Sequence, residues 1–391
     1  MKTKKLLILV VVAAVLVALA TVNSRQRSAA TAPSKLGEKV LPDLDLNAIS
    51  AITYSTHDRT VAVERVDGRW VVPAKYGYPA DFERIKAFAM KLRDLKIHYV
   101  ANISDTQLEN LQLLPPAEAS AANRGATGTE LRLTGGDGQP LAQLLVGRPI
   151  EKDTGGVEPF PGAGSYPTSQ FVSTDKGAIY VVSDVLRKLD DHVNDWLHGS
   201  ILGIQMSEIA RVERTHEGAS VVITKADGAS DYALEDLAPT EQMIGWKANG
   251  LAGAIAYLSL ADVADPALED AALGFDAPTT WKGYTADGKI ITVVIGGEAP
   301  QGAGRYIRVS ASHEPVPADE ADGSEDDASS DATSEVERIN ARVSGWTYII
   351  EANSAEGLLT PRADMVEDKP LEDKAADDAA TTAEAGMGVG E

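Results

Sequence analysis

The sequence predicts an α+β, β-rich fold: a tandem duplication of an antiparallel-sheet-plus-helix module, preceded by one transmembrane helix. Three observations predict it. The amino terminus is a lysine-flanked apolar run, "MKTKKLLILVVVAAVLVALATVNSRQR". Two phrases of one pattern, "GDGQPLAQLLVG" from Gly136 and "ADGKIITVVIGG" from Ala286, lie about 150 residues apart. Around each phrase, apolar alternation of period two, Asp-Gly turns and one helical stretch recur in the same order.

The apolar run extends from Leu6 to Val22, interrupted only by Thr21, behind Lys2, Lys4 and Lys5. At about 1.5 Å per residue its length reaches roughly 25 Å, enough for a thin bilayer with snorkelling flanks. The lysines stay on the cytoplasmic side, which places everything after Asn23 outside. Residues 1–27 are therefore read as a signal anchor in the inner membrane. The alternative is a cleaved signal peptide, because Ala18-Leu19-Ala20 offers an A-x-A site.

A linker rich in Ala, Ser and Thr follows over residues 28–40. The first lobe, 41–204, opens with "ISAITYSTHDRTVAVERVDGRWVV", a short antiparallel meander turned at Asp67-Gly68. "YPADFERIKAFAMKLRDLKI" then places Phe82, Ile85, Phe88, Ala89 and Leu92 at helical spacing behind Asp81, a candidate N-cap. The second lobe, 205–360, repeats this order: Ile209 answers Ile49, and Asp227-Gly228 answers Asp67-Gly68. "NGLAGAIAYLSLADV" supplies its helix, and "LEDAALGFDAP" echoes "LENLQLLPPAE" ahead of the two quoted phrases. Repeats of this size are duplicated domains, since solenoid units are shorter.

The net charge of -22 is unevenly placed. Glu314 to Arg338 holds 10 acids and 1 base, and Pro361 to Glu391 holds 9 acids and 3 bases. These segments carry -9 and -6, leaving -7 for the rest of the chain. Residues 313–338 are accordingly expected to be a disordered acidic insertion, and 361–391 a disordered acidic tail. Asp322, Asp326 and Asp327 do not form an ordered calcium loop. The body has no basic stripe for a phosphate backbone, which excludes nucleic acid as a partner class. With no cysteine, the chain has no disulfide, thiolate metal site or cysteine nucleophile.

The densest polar cluster is "LDDHVNDWLHG", with Asp190, Asp191, His192, Asp195 and His198. On a helix His192 and Asp195 share a face, so Asp191, His192 and Asp195 are the residues an envelope hydrolase would use. A solvated helix face with Trp196 and Leu197 turned inward is the stronger reading. "GGEAPQGAGRY" is glycine-rich, but "RYIRVS" after it alternates as a strand, whereas a phosphate loop needs a following helix. No G-x-S-x-G, H-E-x-x-H or cofactor fingerprint occurs. No catalytic, metal or cofactor-binding residue is assigned. Of the aromatics near strand ends, Tyr78, Trp246 and Trp281 are the candidates for an interaction or ligand surface.

The chain resembles an uncharacterised bacterial envelope family known only as a domain of unknown function. The resemblance rests on "LPDLDLNAISAIT", "VDGRWVVPAKYGYPADFERIKAF", "LLVGRP" and "DWLHGSILGI", and it covers most of Leu41 to Leu359. It implies an amino-terminal membrane segment and a β-rich extracytoplasmic body. It also implies partners among ABC transporter components and auxiliary membrane proteins similar to gliding-motility components. The expected function is thus a non-enzymatic, membrane-anchored interaction protein accessory to transport or surface assembly. A periplasmic module binding polysaccharide or peptide is the alternative.

Overall fold

The computed structural model describes residues 35–152, 166–186, 192–226, 228–314 and 325–369. The expected membrane segment, Asp227 and most of the acidic tail lie outside these residues. No helix among those described is long and apolar enough to cross a membrane.

In chain order the strands of the first half are β1 (Ile49–Ser55), β2 (Thr60–Val66), β3 (Arg69–Val72), β4 (Tyr78–Pro79), β5 (Ile97–Ala101), β6 (Thr129–Gly135), β7 (Pro140–Lys152), β8 (Tyr166–Thr174) and β9 (Ile179–Val182). Helix α1 (Phe82–Asp94) precedes β5. The second half contains β10 (Ile209–His216), β11 (Ala219–Thr224), β12 (Ala233–Leu234), β13 (Glu241–Met243), α2 (Gly245–Gly253), β14 (Leu260–Val263), β15 (Thr279–Thr285), β16 (Lys289–Glu298) and β17 (Arg305–His313). It closes with α3 (Glu325–Val343), β18 (Tyr348–Ile350), α4 (Ala352–Leu359), α5 (Arg362–Met365) and β19 (Val366–Asp368). The protein is β-rich, with antiparallel sheets and few helices, as its alternating pattern predicts.

The chain divides into two compact units. The first takes residues up to Ala62 and Glu83–Asp191; the second takes Val63–Phe82 and His192 onward. This differs from the expected division at 204/205. The ribbon β3–β4 and the stretch from His192 to Ile204 belong to the second unit, for reasons that lie in their hydrogen bonds (below).

In the first unit the strand order is β1-β6-β7-β8-β9-β5, every neighbouring pair antiparallel. Alternation explains which side is buried: Ile52 and Tyr54 of β1, Leu131 and Leu133 of β6, and Leu144 and Val146 of β7 are almost wholly enclosed. Helix α1 buries Ile85, Ala89 and Leu92, one stripe at i, i+4 and i+7, while Phe82 is exposed.

In the second unit the order is β12-β11-β10-β15-β16-β17-β18-β14. Six of these strands, β10-β15-β16-β17-β18-β14, which run to one edge of the sheet, follow the sequence order of the first unit's six strands. The pairing registers agree as well. Tyr54 faces Leu131 and Arg214 faces Trp281, and a one-residue shift follows Ile49 in β1 and Ile209 in β10. Further shifts fall after Val146 and Ile295 at the β7–β8 and β16–β17 pairs, and after Ile97 and Leu260 on the outermost strands. The two quoted phrases are the β6–β7 and β15–β16 hairpins, turned at Gly138 (φ 78°) and Gly288 (φ 80°).

Gly147, which closes the first quoted phrase, and Gly296, in the glycine pair that closes the second, are glycine for one reason. A Cβ at Gly147 would lie 2.5 Å from the Leu111 carbonyl oxygen, and one at Gly296 would strike the Leu273 carbonyl. A loop backbone runs directly over the strand at both places, and only glycine leaves room.

The expected disordered insertion is corrected over its second part. Residues 325–343 form α3, and Ala332, Val336, Ile339 and Val343 are buried on one stripe. The acidic composition of 313–338 hid the stripe because two of its four apolar residues lie at or beyond the segment's end. Asn340 fixes the helix to β17 by mimicking a strand partner: the Ala311 amide donates to Oδ1 at 2.9 Å, and Nδ2 donates to the Ala311 carbonyl at 2.8 Å. Lys289, only 5% exposed, donates to Glu335 at 2.6 Å.

The expected tail is corrected likewise up to Lys369. Met365 is fully buried, and β19 pairs with β13. Arg362 holds this end down, bonding Glu241 at 2.6 Å and Asp236 at 2.8 Å.

Candidate functional site

Two of the stretches that carry the family resemblance, around Tyr78 and around Trp196, meet in the second unit. A turn at Pro73–Lys75 begins with proline, whose fixed φ suits a helical first position. It ends on Tyr76 in the left-handed region (φ 58°) followed by Gly77 (φ 77°), so the chain reverses and β4 pairs back onto β3. Tyr78 is thereby turned inward and is 3% exposed. Its ring meets Trp346 and Tyr348 edge-on, with centroids 4.9 and 6.2 Å away, the arrangement favoured by opposed ring quadrupoles.

From there the strap is fastened by backbone. The Tyr78 hydroxyl donates to the His198 carbonyl at 3.0 Å, and the His198 amide donates to the Pro79 carbonyl at 3.0 Å. The Asp81 amide donates to the Trp196 carbonyl at 2.8 Å. "DWLHG" is held in turn by Asn194, whose Nδ2 donates to the Ala261 carbonyl at 2.8 Å, and by a bridge between Ser200 and Ser259. Lys75 grips both carboxylate oxygens of Asp262, at 2.7 and 2.6 Å, with both side chains mostly shielded from solvent. Each neutral bond contributes on the order of 1 kcal/mol net, and the charged one more.

Burial pushes the Tyr78 phenol up to about 12 and raises Tyr348 as well. Both remain protonated at neutral pH, so Tyr78 acts as a hydrogen-bond donor and not as a base. The arrangement holds chain to chain.

Cavities lie within each unit. In the first unit, Thr56, Arg59, Gln112, Arg124, Thr129 and Gln170 line a space of about 350 Å³ at the β1–β2 turn end of the sheet. Gln170 is 7% exposed and braces that end, donating to the Gly147 carbonyl at 2.8 Å and accepting from the Leu186 amide at 2.8 Å. In the second unit a space of about 570 Å³ is lined by Lys247, Glu298, Arg305, Glu356 and Asp364, beside the glycine-rich loop at Gly302–Gly304. That loop leads into β17, as the alternation after it predicts.

The sequence-predicted surface residues part company here. Trp281 is fully buried, its Nε1 donating to the Leu251 carbonyl at 3.1 Å and tying α2 to β15. Tyr78 is buried in the strap. Neither is available as a ligand surface, because the alternation that puts an aromatic at a strand end also turns it to the covered face. Trp246 is 70% exposed on α2, with the Lys247 ammonium 4.6 Å from its ring centroid. Tyr257, 76% exposed after the same helix, escaped the sequence reading.

Asp190 and Asp191 lie outside the described residues. His192 is exposed and precedes a short 3-10 turn, Val193–Trp196, while Trp196 and Leu197 are buried. Among the described residues no group of three His, Asp or Glu side chains is placed to hold a metal ion. The sequence reading also missed the Lys75–Asp262 pair, far apart in the chain, and Arg214, a cation at a buried strand position.

The family described as "Domain of unknown function (DUF4340)" matches residues 70–278, more than half of the chain. The chain belongs to this family. No curated protein and no solved structure matches it. The DUF4340 match opens at Trp70 on β3 and closes just before β15. It therefore contains the strap together with Trp196, His198 and Asp262, the residues that fasten it.

Proposed function

We propose that this DUF4340 protein is a non-enzymatic interaction scaffold, anchored in the inner membrane by its first 27 residues, with its body outside the cytoplasm. Its partners are components of an ABC-type transport or surface-assembly system. The observation that carries the reading is the strap. The family region's most distinctive residues, Tyr78 to Asp81 and Asp195 to His198, are joined to one another through backbone hydrogen bonds, so their chemistry is spent on holding a shape. The matched strand order, registers and shift positions of the two sheets support a tandem duplication, offset by about 160 residues at β1 and 150 at β6. Trp246 and Tyr257, large aromatics exposed on one helical segment, are the surface offered to a partner.

Mild crosslinking in membranes followed by co-purification tests the proposal. A permease or ATPase recovered with the wild-type chain, and depleted with Trp246→Ala, is the expected result. Recovery of the free chain alone overturns it. The ligand-binding alternative is favoured by one feature, the cavity beside Lys247, where Arg305 and three carboxylates face a common space. Saturable binding of an oligosaccharide or peptide that is lost with Arg305→Ala would select it.

A further inference from the structure

Arg214 is buried, and among the described residues it has no counter-ion. It lies on β10 between Val221 of β11 and Trp281 of β15, on the face that also buries Val212 and Ile223. The residue is 9% exposed, and its Nε is enclosed with no hydrogen-bond partner among the described residues. Desolvation depresses its affinity for the proton, though a guanidinium stays charged throughout the physiological range. A largely buried guanidinium whose Nε lacks a partner is among the more expensive features a fold can carry. The acidic neighbour in sequence, Glu213, points to the opposite side of the strand, where it meets Arg211 and Tyr284.

Two residues further along the same face stands His216, opposite Thr279. Thr279 is 5% exposed, and its hydroxyl lies 3.0 Å from His216 Nδ1. When Thr279 donates to Nδ1, the ring proton sits on Nε2, which becomes a donor directed away from that bond. A guanidinium, an imidazole and a hydroxyl thus gather at the turn end of an otherwise apolar face. The matching end of the first unit, at Thr56 and Thr129, is where that unit has its polar cavity of about 350 Å³. There Tyr54 takes the position of Arg214.

We propose that Arg214 and the Nε2–H of His216, the latter oriented by Thr279, form an oxyanion-binding position, taking a carboxylate or a phosphate group. The planar guanidinium matches either oxyanion through paired N–H donors, and the charge that is costly alone becomes favourable when met. The proposal is independent of the scaffold reading above.

Thermal unfolding of the full-length chain tests it, in inorganic phosphate, in acetate and in chloride at matched ionic strength. Phosphate or acetate, whichever is the preferred class, raises the wild-type midpoint by roughly 2–4 °C over chloride. Arg214→Met loses that rise and, in chloride, unfolds at or above the wild-type midpoint, because an apolar chain of similar volume replaces an unpaired charge. His216→Ala reduces the rise while leaving the chloride midpoint within about 2 °C. A wild type indifferent to both oxyanions overturns the assignment. So does an Arg214→Met chain that retains the response or is markedly less stable in chloride.

Discussion

Where the first unit buries Tyr54 against Leu131, the second buries Arg214 against Trp281, in the same register. Where the first turns its loop with Gln112 at φ 54°, the second uses Gly274 at φ 72°. In both units the next residue in the loop bonds back in the same way, Leu113 to the Leu108 carbonyl and Phe275 to the Asp270 carbonyl. The two sheets make the same backbone demands and meet them with different side chains. The second unit also has more of its own: more buried aromatic side chains, helix α3 against β16 and β17, and the strap from the first half of the sequence. Equivalent backbone therefore does not mean equivalent energy, and substitutions at matched positions measure the difference.

The largest effect is expected in the core. Trp281→Ala removes the biggest fully buried side chain among the described residues and its bond to the Leu251 carbonyl, which costs about 4–5 kcal/mol. Leu131→Ala at the matched position of the first unit costs about 3 kcal/mol. Urea unfolding followed by fluorescence and circular dichroism reads both; equal losses would break the claim that the second sheet is the heavier.

The loop pair sharpens it further. Gly274→Gln, which writes the first unit's residue into the second, places a Cβ 2.5 Å from the Gly297 amide nitrogen and costs roughly 3 kcal/mol. The reverse exchange, Gln112→Gly, relieves a left-handed non-glycine residue and loses one bond to the Gly125 carbonyl, for a net change within about 0.5 kcal/mol. A symmetrical outcome in the same urea assay would mean that the two loops do not correspond.

Asp262→Ala tests the strap, which has no counterpart in the first unit. Leaving Lys75 without its partner costs about 1–2 kcal/mol. Hydrogen exchange should quicken over β3, β4 and "DWLHG" and stay unchanged over β6 to β8; uniform quickening would deny the strap its independence.

The smallest effect is a pH dependence at the carboxy-terminal clamp. Hydrogen bonds from Arg362 and from the Ala238 amide lower Glu241 from its ordinary value of 4.5 to about 2. A depressed carboxyl contributes stability that is complete above the ordinary value and lost as pH falls toward 2. Limited proteolysis after β19 should therefore quicken between those two pH values in the wild type. An Arg362→Gln chain should be cut readily across that whole range.

Much of the fold was legible because it is written locally. Alternation in "ISAITY" and "TELRL", glycine after aspartate at the hairpins, and a helical stripe at Ile85, Ala89 and Leu92 each depend on neighbours a few residues away. Arg214 was legible in principle: two positions after Val212, it falls on the buried side by parity alone. The helix over 325–343 was masked by an average, since the charge of the whole segment outweighed a stripe of four apolar residues. The strap was not legible at all. Lys75 and Asp262 stand 187 residues apart, and nothing near either names the other.

By itself the sequence determined the β-rich class, the two-pass order of elements, and an apolar amino-terminal run with a lysine-rich flank. These follow from steric and hydrophobic rules acting over a turn or a strand. Only the tertiary structure decided that the ribbon β3–β4 belongs with the second unit, that Tyr78 and Trp281 are interior while Trp246 is bare, and that a guanidinium is enclosed beside Trp281. Such outcomes depend on which surfaces remain to be covered once the sheets have formed, a quantity that exists only when distant segments have met.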